Sequence, residues 1–584
     1  RIARSHSKAG MGIPSDLDDV WLDSLVAALA DFDPGFDAQV ELSWRSVMAP
    51  GIRYMRSRYD AAGQPPHASS STGSVADEGI VRWIDHWAAR APDRPALRSA
   101  HRSLTYRELV DESGRLAAGL HSRLGVDVGD RVAFLGHNCI EFLAVLFACA
   151  RLGAILVPVN FRLAESERAR LVERTEAKVL FVDARHRTQA LDESSRCVRV
   201  LLEEGETAGN ELTYADLQHV PGPMLASRGK FDSPLLMVFT SGSTGDPKGA
   251  ILTQSALHWN ALNSRAMHDM TRSDHVLTNL PFFHVGGINI QTLPALQVGA
   301  SVTVSSGFDA ADFVEVVERE RPTLTVLVPT QMQLLMKLPN WQACDLSSLR
   351  SVSTGSTIVS QELIAAWADK GVPVVQVYGC TESGPIAAHQ TVEGIRPGWG
   401  TVGHAALYTD VMVADSDGRP MATGAEGEIL LRGMNLASHY WRDPEATNKA
   451  FTNGWFHTGD LGYFDENGRL TIVGRKKRLI ISGGENVHPA EVEHVLELHP
   501  GVREATVVGV ADPEWGEVPA ALVVANDDAT DETALREHLV RHLGRYKHPR
   551  YLFFAGSLPR TGLDKIAYPE VSALVEERLK QQRD

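Results

Sequence analysis

The chain has 584 residues, of which 43% are apolar and 22% are charged, and its formal net charge is −16. Such a length is too great for one ordinary core, so we expect two or more folded units. The acidic balance argues against a nucleic acid partner. No apolar run approaches the roughly 20 residues of a transmembrane helix. The five cysteines are scattered, which predicts a reducing, cytoplasmic compartment and offers neither a disulfide framework nor a zinc site.

Residues 1–75 carry little pattern apart from one amphipathic helix, predicted around Trp21 to Phe32. Residues 61–74 are rich in Pro, Gly and Ser and lack apolar periodicity, which is typical of a linker. We therefore predict that residues 1–75 form a poorly ordered extension and linker rather than a functional module.

A regular alternation of short β-branched runs and helical stretches begins at about Ile80. The predicted strands are Arg131–Gly136, Ala154–Val159 and Val179–Ala184, and the predicted helices are Ile140–Arg151 and Ala164–Thr175. This alternation predicts an α/β fold with parallel sheets covered on both faces. Such sheets bind ligands in the loops beyond the carboxyl ends of their strands.

After about Val402 the predicted secondary structure changes to strands separated by turns. A compact βα pattern follows from Glu491 to the end. We place a domain boundary near Gly474–Arg478. The sequence thus predicts a large N-terminal domain over residues 76–474, built of βα subdomains and a small β-rich subdomain. A small α+β C-terminal domain is predicted over residues 475–584.

The segment most informative about function follows the apolar run from Leu235 to Phe239. It consists of Thr240, Ser241, Gly242, Ser243, Thr244 and Gly245, with Lys248 shortly after. Glycines let backbone N–H groups turn toward an anion, the hydroxyls add donors, and the lysine adds a charge suited to phosphate. The alternative interpretation is a flexible Gly/Ser connector, but a connector would need neither a buried strand before it nor a lysine after it. A Walker P-loop needs Gly immediately before its Lys, and here Pro247 occupies that place.

The stretch TSGSTGDPKG resembles the signature of the adenylate-forming superfamily, which contains acyl-CoA synthetases, luciferases and the adenylation domains of peptide synthetases. Further motifs follow in the family's order between about Thr105 and Lys565. The next is YGCTE, which begins at Tyr378. The resemblance implies that Glu382 helps to hold Mg²⁺ at the triphosphate of ATP and that Thr381 contacts the α-phosphate. Magnesium prefers such hard oxygen ligands.

Two further segments resemble the nucleoside-binding elements of the family. The adenine elements are Gly355, Ser356, Thr357, Tyr378 and Gly379, although Thr354, Ser356 and Thr357 depart from the common Gly-Gly-Ala-Pro pattern. An ordinary strand-end turn is the alternative for this segment. The motif WFHTGDL and the nearby Arg475 resemble the ribose-binding pair, with Asp460 accepting hydrogen bonds from the ribose hydroxyls.

The acyl pocket is predicted from the resemblance of His284, Val285, Gly286 and Gly287 to the family's pocket lining. His284 would then be a wall beside the carboxylate, and the two glycines would leave volume for an acyl chain. A buried histidine with its own hydrogen bonds in the core is the alternative.

The C-terminal domain resembles the family's mobile lid. Lys565 would be the cation that bridges the acid and the α-phosphate, although Asp564 stands where the family usually has Gly. Lys477 matches the hinge, and the loop of Gly483, Gly484 and Glu485 would contact coenzyme A after rotation of the domain.

These motifs predict an AMP-forming acid–CoA ligase that uses ATP, Mg²⁺ and coenzyme A, with a small-molecule carboxylic acid as substrate. A medium or long fatty acid is the favoured acid, and an aryl or steroid side-chain acid is an alternative. Other possibilities left open are an adenylation enzyme that loads a carrier protein and a non-catalytic binder of nucleotide or acyl groups.

Overall fold

The computed structural model describes residues 79–189, 197–207, 209–219, 225–240, 247–355, 359–394, 400–482, 485–512, 515–526, 530–561 and 565–583. The extension predicted over residues 1–75, with its helix around Trp21 to Phe32, lies outside these ranges. Within them, no helix combines the length and apolar composition that crossing a bilayer requires.

Two large sheets form the N-terminal part of the chain. The first has nine strands, in the order β16 (His404–Ala405), β15 (Ala388–His389), β14 (Val374–Tyr378), β13 (Ser351–Thr354), β12 (Leu324–Val326), β10 (His275–Thr278), β11 (Ser301–Val304), β1 (Pro95–Arg98) and β2 (Ser103–Thr105). The second has eight, in the order β19 (His439–Tyr440), β9 (Lys248–Thr253), β8 (Pro234–Thr240), β4 (Ile155–Val159), β3 (Arg131–Leu135), β5 (Val179–Val182), β6 (Val198–Leu201) and β7 (Glu211–Thr213). Strands in the middle of both sheets are parallel, and antiparallel strands flank them.

Two smaller sheets follow. An antiparallel sheet contains β17 (Thr409–Ala414), β18 (Gly427–Gly433), β20 (Phe451–Thr452), β21 (Trp455–Phe464) and β22 (Leu470–Arg475). The last sheet contains β23 (Ile480–Ser482), β24 (Glu485–Val487), β25 (Val502–Asp512), β26 (Gly516–Ala525) and β27 (Tyr551–Phe554). The predicted boundary at Gly474–Arg478 coincides with the end of β22 and a short 3-10 turn, Lys476–Arg478. The exact domain ranges stay predictions.

Helices cover the sheets of the N-terminal part and both faces of the last sheet. They are α1 (Val81–Arg90), α2 (Tyr106–Leu124), α3 (Ile140–Leu152), α4 (Glu165–Thr175), α5 (Tyr214–Gln218), α6 (Gln254–His268), α7 (Val285–Asn289), α8 (Thr292–Val298), α9 (Ala310–Glu320), α10 (Pro329–Met336), α11 (Gln361–Asp369), α12 (Pro444–Ala450), α13 (Pro489–Glu497), α14 (Glu532–His542) and α15 (Tyr568–Arg583). The predicted α/β class is confirmed.

Helix α3 shows why the two large sheets pack together. It is apolar on all sides, and every residue except Glu141 is buried. A helix without a polar face must be enclosed by other elements, and α3 lies in the largest apolar cluster with α2, α6 and strands of both large sheets. Its one basic residue, Arg151, is buried and pairs with Asp85 at 2.9 Å. The helix predicted over Ile140–Arg151 and the strand predicted over Ala154–Val159 are confirmed by α3 and β4.

A buried polar network at the end of α6 ties that helix to the first sheet. His268 is 3% exposed. Its Nδ1 donates to the carbonyl oxygen of Ser264 at 2.8 Å, which leaves Nε2 to accept from Ser353 Oγ at 2.8 Å. Because burial disfavours the charged imidazolium, the pKa of His268 falls to about 3.

We therefore predict that acid weakens the fold through His268. The stabilising effect of its neutral form is complete above pH 6.5 and is lost as the pH falls toward 3, because the unfolded chain takes up a proton that the folded chain excludes. One such group changes the free energy of unfolding by roughly 1 kcal/mol per pH unit in that window. Denaturant unfolding between pH 7 and pH 5 should show a shallower pH slope for His268→Gln than for the wild type. Equal slopes would contradict the account, and His101→Gln, at an exposed position, controls for the substitution itself.

Candidate active site

The predicted phosphate loop connects two antiparallel strands. β8 ends at Thr240 and β9 begins at Lys248, and these two residues face each other across the strand pair. Thr240 Oγ1 donates to the Lys248 carbonyl oxygen at 3.4 Å. The loop residues Ser241, Gly242, Ser243, Thr244 and Gly245 lie outside the described ranges. The buried strand before the loop, which the sequence predicted, is confirmed.

Tyr440 brings the lysine of this loop together with the carboxylate of the YGCTE motif. The Lys248 ammonium lies 5.4 Å from the centroid of the Tyr440 ring. The Tyr440 hydroxyl donates to Glu382 Oε1 at 2.7 Å. Glu382 is buried in a 3-10 turn, Thr381–Ser383, just beyond the end of β14. One aromatic side chain therefore contacts both a cation and an anion of the candidate site.

Two glycines allow the ends of β13 and β14 to approach their neighbours closely. A Cβ on Gly355 would lie 2.4 Å from the Val377 carbonyl oxygen, and one on Gly379 would lie 1.8 Å from that of Pro385. Both distances are shorter than any real contact, so only glycine fits at these positions. The predicted adenine residues Gly355, Tyr378 and Gly379 therefore lie side by side, whereas Ser356 and Thr357 are outside the described ranges.

Asp460 is held between a tyrosine and an arginine. Tyr378 Oη donates to its Oδ2 at 2.7 Å, and Arg475 Nε lies 2.5 Å from its Oδ1. The arginine is placed by strand register, because Asp460 and Arg475 pair across β21 and β22. Burial raises the pKa of Asp460, and the positive charge of Arg475 opposes that rise. The predicted ribose pair and the predicted adenine aromatic thus form one hydrogen-bonded group.

His284 stands at the start of α7, next to Phe283. Its pKa falls to about 4, chiefly because of burial and then because of the positive charges of Lys565 and Arg162. His284 is therefore neutral near pH 7, so it can donate or accept a hydrogen bond but does not carry a charge.

The two glycines after His284 serve different purposes. A Cβ on Gly286 would meet only side-chain carbons, at 3.6 Å from Ile290 and 3.8 Å from Leu280, which are ordinary contacts. A Cβ on Gly287 would lie 2.5 Å from the Pro281 carbonyl oxygen. A small side chain would therefore fit at position 286, whereas glycine at position 287 is required by the approach of another backbone segment. Val285 is buried in the largest apolar cluster.

Lys565 reaches this site from the C-terminal part of the chain. It lies on a short hairpin closed by the Arg560–Ile566 bridge. The pKa of Lys565 is lowered first by desolvation of its ammonium group and then by the positive charge of Arg475. The negative charge of Glu382 opposes this shift. Because its charge also lowers the pKa of His284, Lys565 lies within electrostatic reach of the Glu382 carboxylate and of the pocket histidine. Asp564 is outside the described ranges.

One ion pair and one hydrogen bond connect the last sheet domain to the antiparallel sheet beside it. Lys476 Nζ lies 3.0 Å from Glu428 Oε2, and His488 Nε2 lies 2.9 Å from Glu426 Oε2. The backbone of Lys477, the predicted hinge, lies in the short turn between the two sheets. In the predicted coenzyme A loop, Gly483 and Gly484 are outside the described ranges, and Glu485 begins β24.

Comparison with known proteins decides the family. A family model described as AMP-binding enzyme matches residues 84–441, and its AMP-binding enzyme C-terminal domain model matches residues 491–565. The chain belongs to the AMP-binding enzyme family. It is therefore an AMP-forming acid–CoA ligase with ATP, Mg²⁺ and coenzyme A as co-substrates and cofactor, as the sequence resemblance predicted.

Among curated relatives of this AMP-binding enzyme, an indoleacetate–CoA ligase of Aromatoleum aromaticum is 42% identical, over 85% of this chain and 98% of the relative. A feruloyl-CoA synthase of Amycolatopsis is 38% identical, over 85% and 99%. A long-chain-fatty-acid–CoA ligase of Mycobacterium tuberculosis is 34% identical, over 79% and 91%.

Solved structures resemble this AMP-binding enzyme over nearly their whole length. An anthranilate CoA ligase in complex with anthranoyl-AMP has a TM-score of 0.78 at 25% identity, covering 87% of this chain and 99% of that one. An o-succinylbenzoate CoA synthetase of Bacillus subtilis in complex with ATP and a magnesium ion has a TM-score of 0.73 at 28% identity, covering 83% and 98%.

Sequence reasoning missed Tyr440 and Arg162 in this AMP-binding enzyme. Tyr440 is 58 positions from Glu382 along the chain, and Arg162 lies in a coil after β4. Neither residue belongs to a motif that was recognised, and only the three-dimensional arrangement brings them to the site. Arg162 lies 5.8 Å from the centroid of the Phe283 ring, and Phe283 adjoins His284.

A histidine pair behind the pocket supports this aromatic wall. Asp183 accepts hydrogen bonds from Nδ1 of His137 at 3.1 Å and from Nδ1 of His186 at 2.6 Å. The His137 ring stacks on Phe161 at 4.3 Å, and Phe161 meets Phe283 edge-on at 5.1 Å. Asp183 also accepts from the backbone N–H groups of both histidines. Four hydrogen bonds satisfy its carboxylate, so the cluster serves as a rigid support for Phe283.

Tyr440→Phe tests the link between Lys248 and Glu382. We predict about a tenfold fall in kcat/KM for MgATP, because the substitution removes a hydrogen bond to a charged group while keeping the ring under the lysine. Pyrophosphate release at varied ATP measures the effect. Tyr551→Phe, in the C-terminal sheet, is the matched control and should behave like the wild type. A Tyr440→Phe enzyme with unchanged kcat/KM would refute the link.

Proposed function

We propose that this ligase activates an aromatic carboxylic acid, with residues of both domains meeting around the bond that forms. A carboxylate oxygen of the acid attacks the α-phosphorus of ATP, and the bond from that phosphorus to pyrophosphate breaks. The thiolate of coenzyme A then attacks the acyl carbon, and AMP leaves. The convergence of Lys565, Glu382 and His284 is the observation that carries this proposal.

The triphosphate side is assigned to the Thr240–Gly245 loop, Lys248, Thr381 and Glu382. Glu382 offers hard oxygen atoms, and Tyr440 occupies Oε1 with one hydrogen bond, which leaves further lone pairs on the carboxylate. This donor set fits Mg²⁺. When bound, Mg²⁺ would neutralise charge on the phosphates and on the departing pyrophosphate. Tyr440 fixes the orientation of the carboxylate before any metal arrives.

The nucleoside side is assigned to the group around Asp460. Its two oxygens already contact Tyr378 and Arg475, and a carboxylate has enough lone pairs to accept two ribose hydroxyls as well. Gly355 and Gly379 let the ends of β13 and β14 pack closely beside Tyr378, and the Tyr378 ring offers a flat face for the base to stack on.

Lys565 is assigned the role of bridging the two anions that must meet. The acid and the α-phosphate both carry negative charge, so a fixed cation between them stabilises the transition state more than the separated reactants. His284, neutral near pH 7, can donate a hydrogen bond to the carboxylate without competing with Lys565 for its charge. The positive charges of Arg475 and Lys565 repel each other, and this repulsion lowers the pKa of Lys565.

That repulsion favours withdrawal of Lys565 once pyrophosphate has left. Lys477, the hinge, would let the last sheet domain rotate and present Gly483, Gly484 and Glu485 to coenzyme A. Rotation requires the Lys476–Glu428 and His488–Glu426 contacts to break, and each of them joins one exposed side chain to one that is largely buried. A lid that closes and opens in this way can serve both half-reactions.

The acid is assigned to the aromatic class on the relatives and on the pocket. The relatives at 42% and 38% identity are named for indoleacetate and feruloyl substrates, and the anthranilate ligase shares the fold at a TM-score of 0.78. The wall of Phe283, Phe161 and His137 offers ring edges and faces to a planar substrate. The fatty acid predicted from the sequence is the competing acid, and the relative at 34% identity supports it.

The direct test mixes the purified protein with ATP, Mg²⁺, coenzyme A and a panel containing indole-3-acetate, phenylacetate, decanoate and palmitate. We expect AMP and pyrophosphate in equal amounts, with the highest kcat/KM for a ring acid. ADP and phosphate as products would overturn the reaction. A clear preference for decanoate or palmitate would overturn the acid class but leave the reaction standing. A carrier protein that outcompetes coenzyme A, or binding without turnover, would support the alternative functions.

Lys565→Ala separates the two half-reactions. We predict a loss of at least about a hundredfold in adenylate formation, since preorganised charge is a large catalytic contribution. Transfer from preformed acyl-adenylate to coenzyme A should stay near the wild-type rate, because Lys565 has no part in that step. Single-turnover assays of each step measure both rates, and Lys580→Ala, on α15, is the control. Equal loss of both steps would refute the assigned role.

A further inference from the structure

A largely buried carboxylate lies on the strand next to the one that carries Asp460. Glu428 belongs to β18, which lies between β17 and β21 in the antiparallel sheet. Its side chain is only 12% exposed. Glutamate is rarely buried unless it is paired, so the partners of Glu428 indicate its role.

One oxygen of Glu428 supports an irregular segment of β21. The register between β18 and β21 shifts here, so that Ile429 alone lies opposite residues 458–460. Such a bulge interrupts the ladder of backbone hydrogen bonds and commonly re-aims a side chain beside an active site. Within the bulge, the N–H of Gly459 donates to Glu428 Oε1 at 3.2 Å. Asp460 is the next residue, so this bond holds the segment that aims the ribose carboxylate.

The other oxygen of Glu428 faces the connection to the last sheet domain. Lys476 Nζ lies 3.0 Å from Glu428 Oε2, and His457 Nδ1 lies 3.4 Å from it. Lys476 stands between Arg475, of the ribose pair, and Lys477, the predicted hinge. Burial opposes ionisation of Glu428, but hydrogen bonds and positive charge from Lys476 and His457 outweigh that effect and hold its pKa below the ordinary value. The carboxylate is therefore charged near neutral pH.

We propose that Glu428 is a positioning residue that couples the ribose-binding carboxylate of Asp460 to the position of the lid. This inference rests on the proposed function, in which the last sheet domain rotates about Lys477. In the arrangement described, Lys476 holds Glu428, and Glu428 holds the bulge that ends at Asp460. A nucleotide on Asp460 and a lysine on Glu428 therefore stabilise the same arrangement.

The coupling acts in both directions. When rotation carries Lys476 away, Glu428 keeps only its contacts within the antiparallel sheet, and Asp460 is less firmly aimed at the ribose. That loosening favours departure of AMP after transfer to coenzyme A. Coupling between two equilibria is reciprocal, so bound ATP favours the lid position that brings Lys565 to the acid.

The experiment measures each half-reaction of Glu428→Gln and Glu428→Ala in single-turnover assays, with the most active acid of the panel. In Glu428→Gln the amide oxygen can still accept from Gly459, but the neutral side chain no longer attracts Lys476. We expect adenylate formation at saturating ATP to fall at least about fivefold, while transfer from preformed acyl-adenylate keeps the wild-type rate. Glu428→Ala loses both contacts, so its KM for ATP should be about tenfold higher than that of Glu428→Gln.

Lys476→Gln removes the same contact from the other side. It should reproduce Glu428→Gln, and the double variant should be no slower than either single variant, because the contact is already lost. Asp417→Asn is the matched control. Asp417 is an exposed carboxylate in a turn of the same sheet, and the variant should behave like the wild type in both steps.

Three outcomes with Glu428→Gln would overturn the inference: wild-type rates in both half-reactions, equal loss of both, or losses that add in the double variant. A residue that only stabilises the fold would lower both half-reactions together, so a retained transfer rate also shows that the variants are folded. Absence of adenylate formation by the wild type with every acid would instead overturn the proposed function.

Discussion

The account depends on one electrostatic requirement, which is that a cation must stand between two anions at the moment they react. In the proposed function, Lys565 meets this requirement from the C-terminal sheet domain, within electrostatic reach of Glu382, Arg475 and His284. These partners come from three separate elements, which are the 3-10 turn after β14, the end of β22 and the start of α7. Since the lysine comes from the last sheet domain, the proposed site is complete only when that domain is in place.

The N-terminal part supports this arrangement through hydrogen bonds to its own charged groups. Tyr440 links Lys248 to Glu382, and Tyr378 links the end of β14 to Asp460. Each tyrosine hydroxyl fixes the orientation of a buried carboxylate by a hydrogen bond. In the proposed function, the carboxylate then needs little reorientation during the reaction. Backbone packing also holds the ends of β13 and β14 in place, because the glycines at positions 355 and 379 permit backbone contacts that no other residue allows.

The sequence predicted well wherever a feature is local along the chain. Strands β3 and β4 and helix α3 follow from apolar periodicity, and Asp460 and Arg475 follow from motifs that strand register then pairs. It could not predict Tyr440 or Arg162, because their contacts join segments that are distant along the chain. The fatty acid was favoured because of the two glycines beside His284 and the likeness to fatty-acid ligases, yet a side chain at position 287 would meet the Pro281 carbonyl oxygen at 2.5 Å.

The most direct test of the central claim follows one oxygen atom from the acid. The enzyme is incubated with carboxyl-¹⁸O-labelled indole-3-acetate, ATP, Mg²⁺ and coenzyme A, and the AMP released is analysed by mass spectrometry. Attack of the carboxylate on the α-phosphorus predicts that each AMP carries one labelled oxygen, while pyrophosphate carries none. Label in pyrophosphate or inorganic phosphate, or AMP without label, would contradict the mechanism and the role given to Lys565.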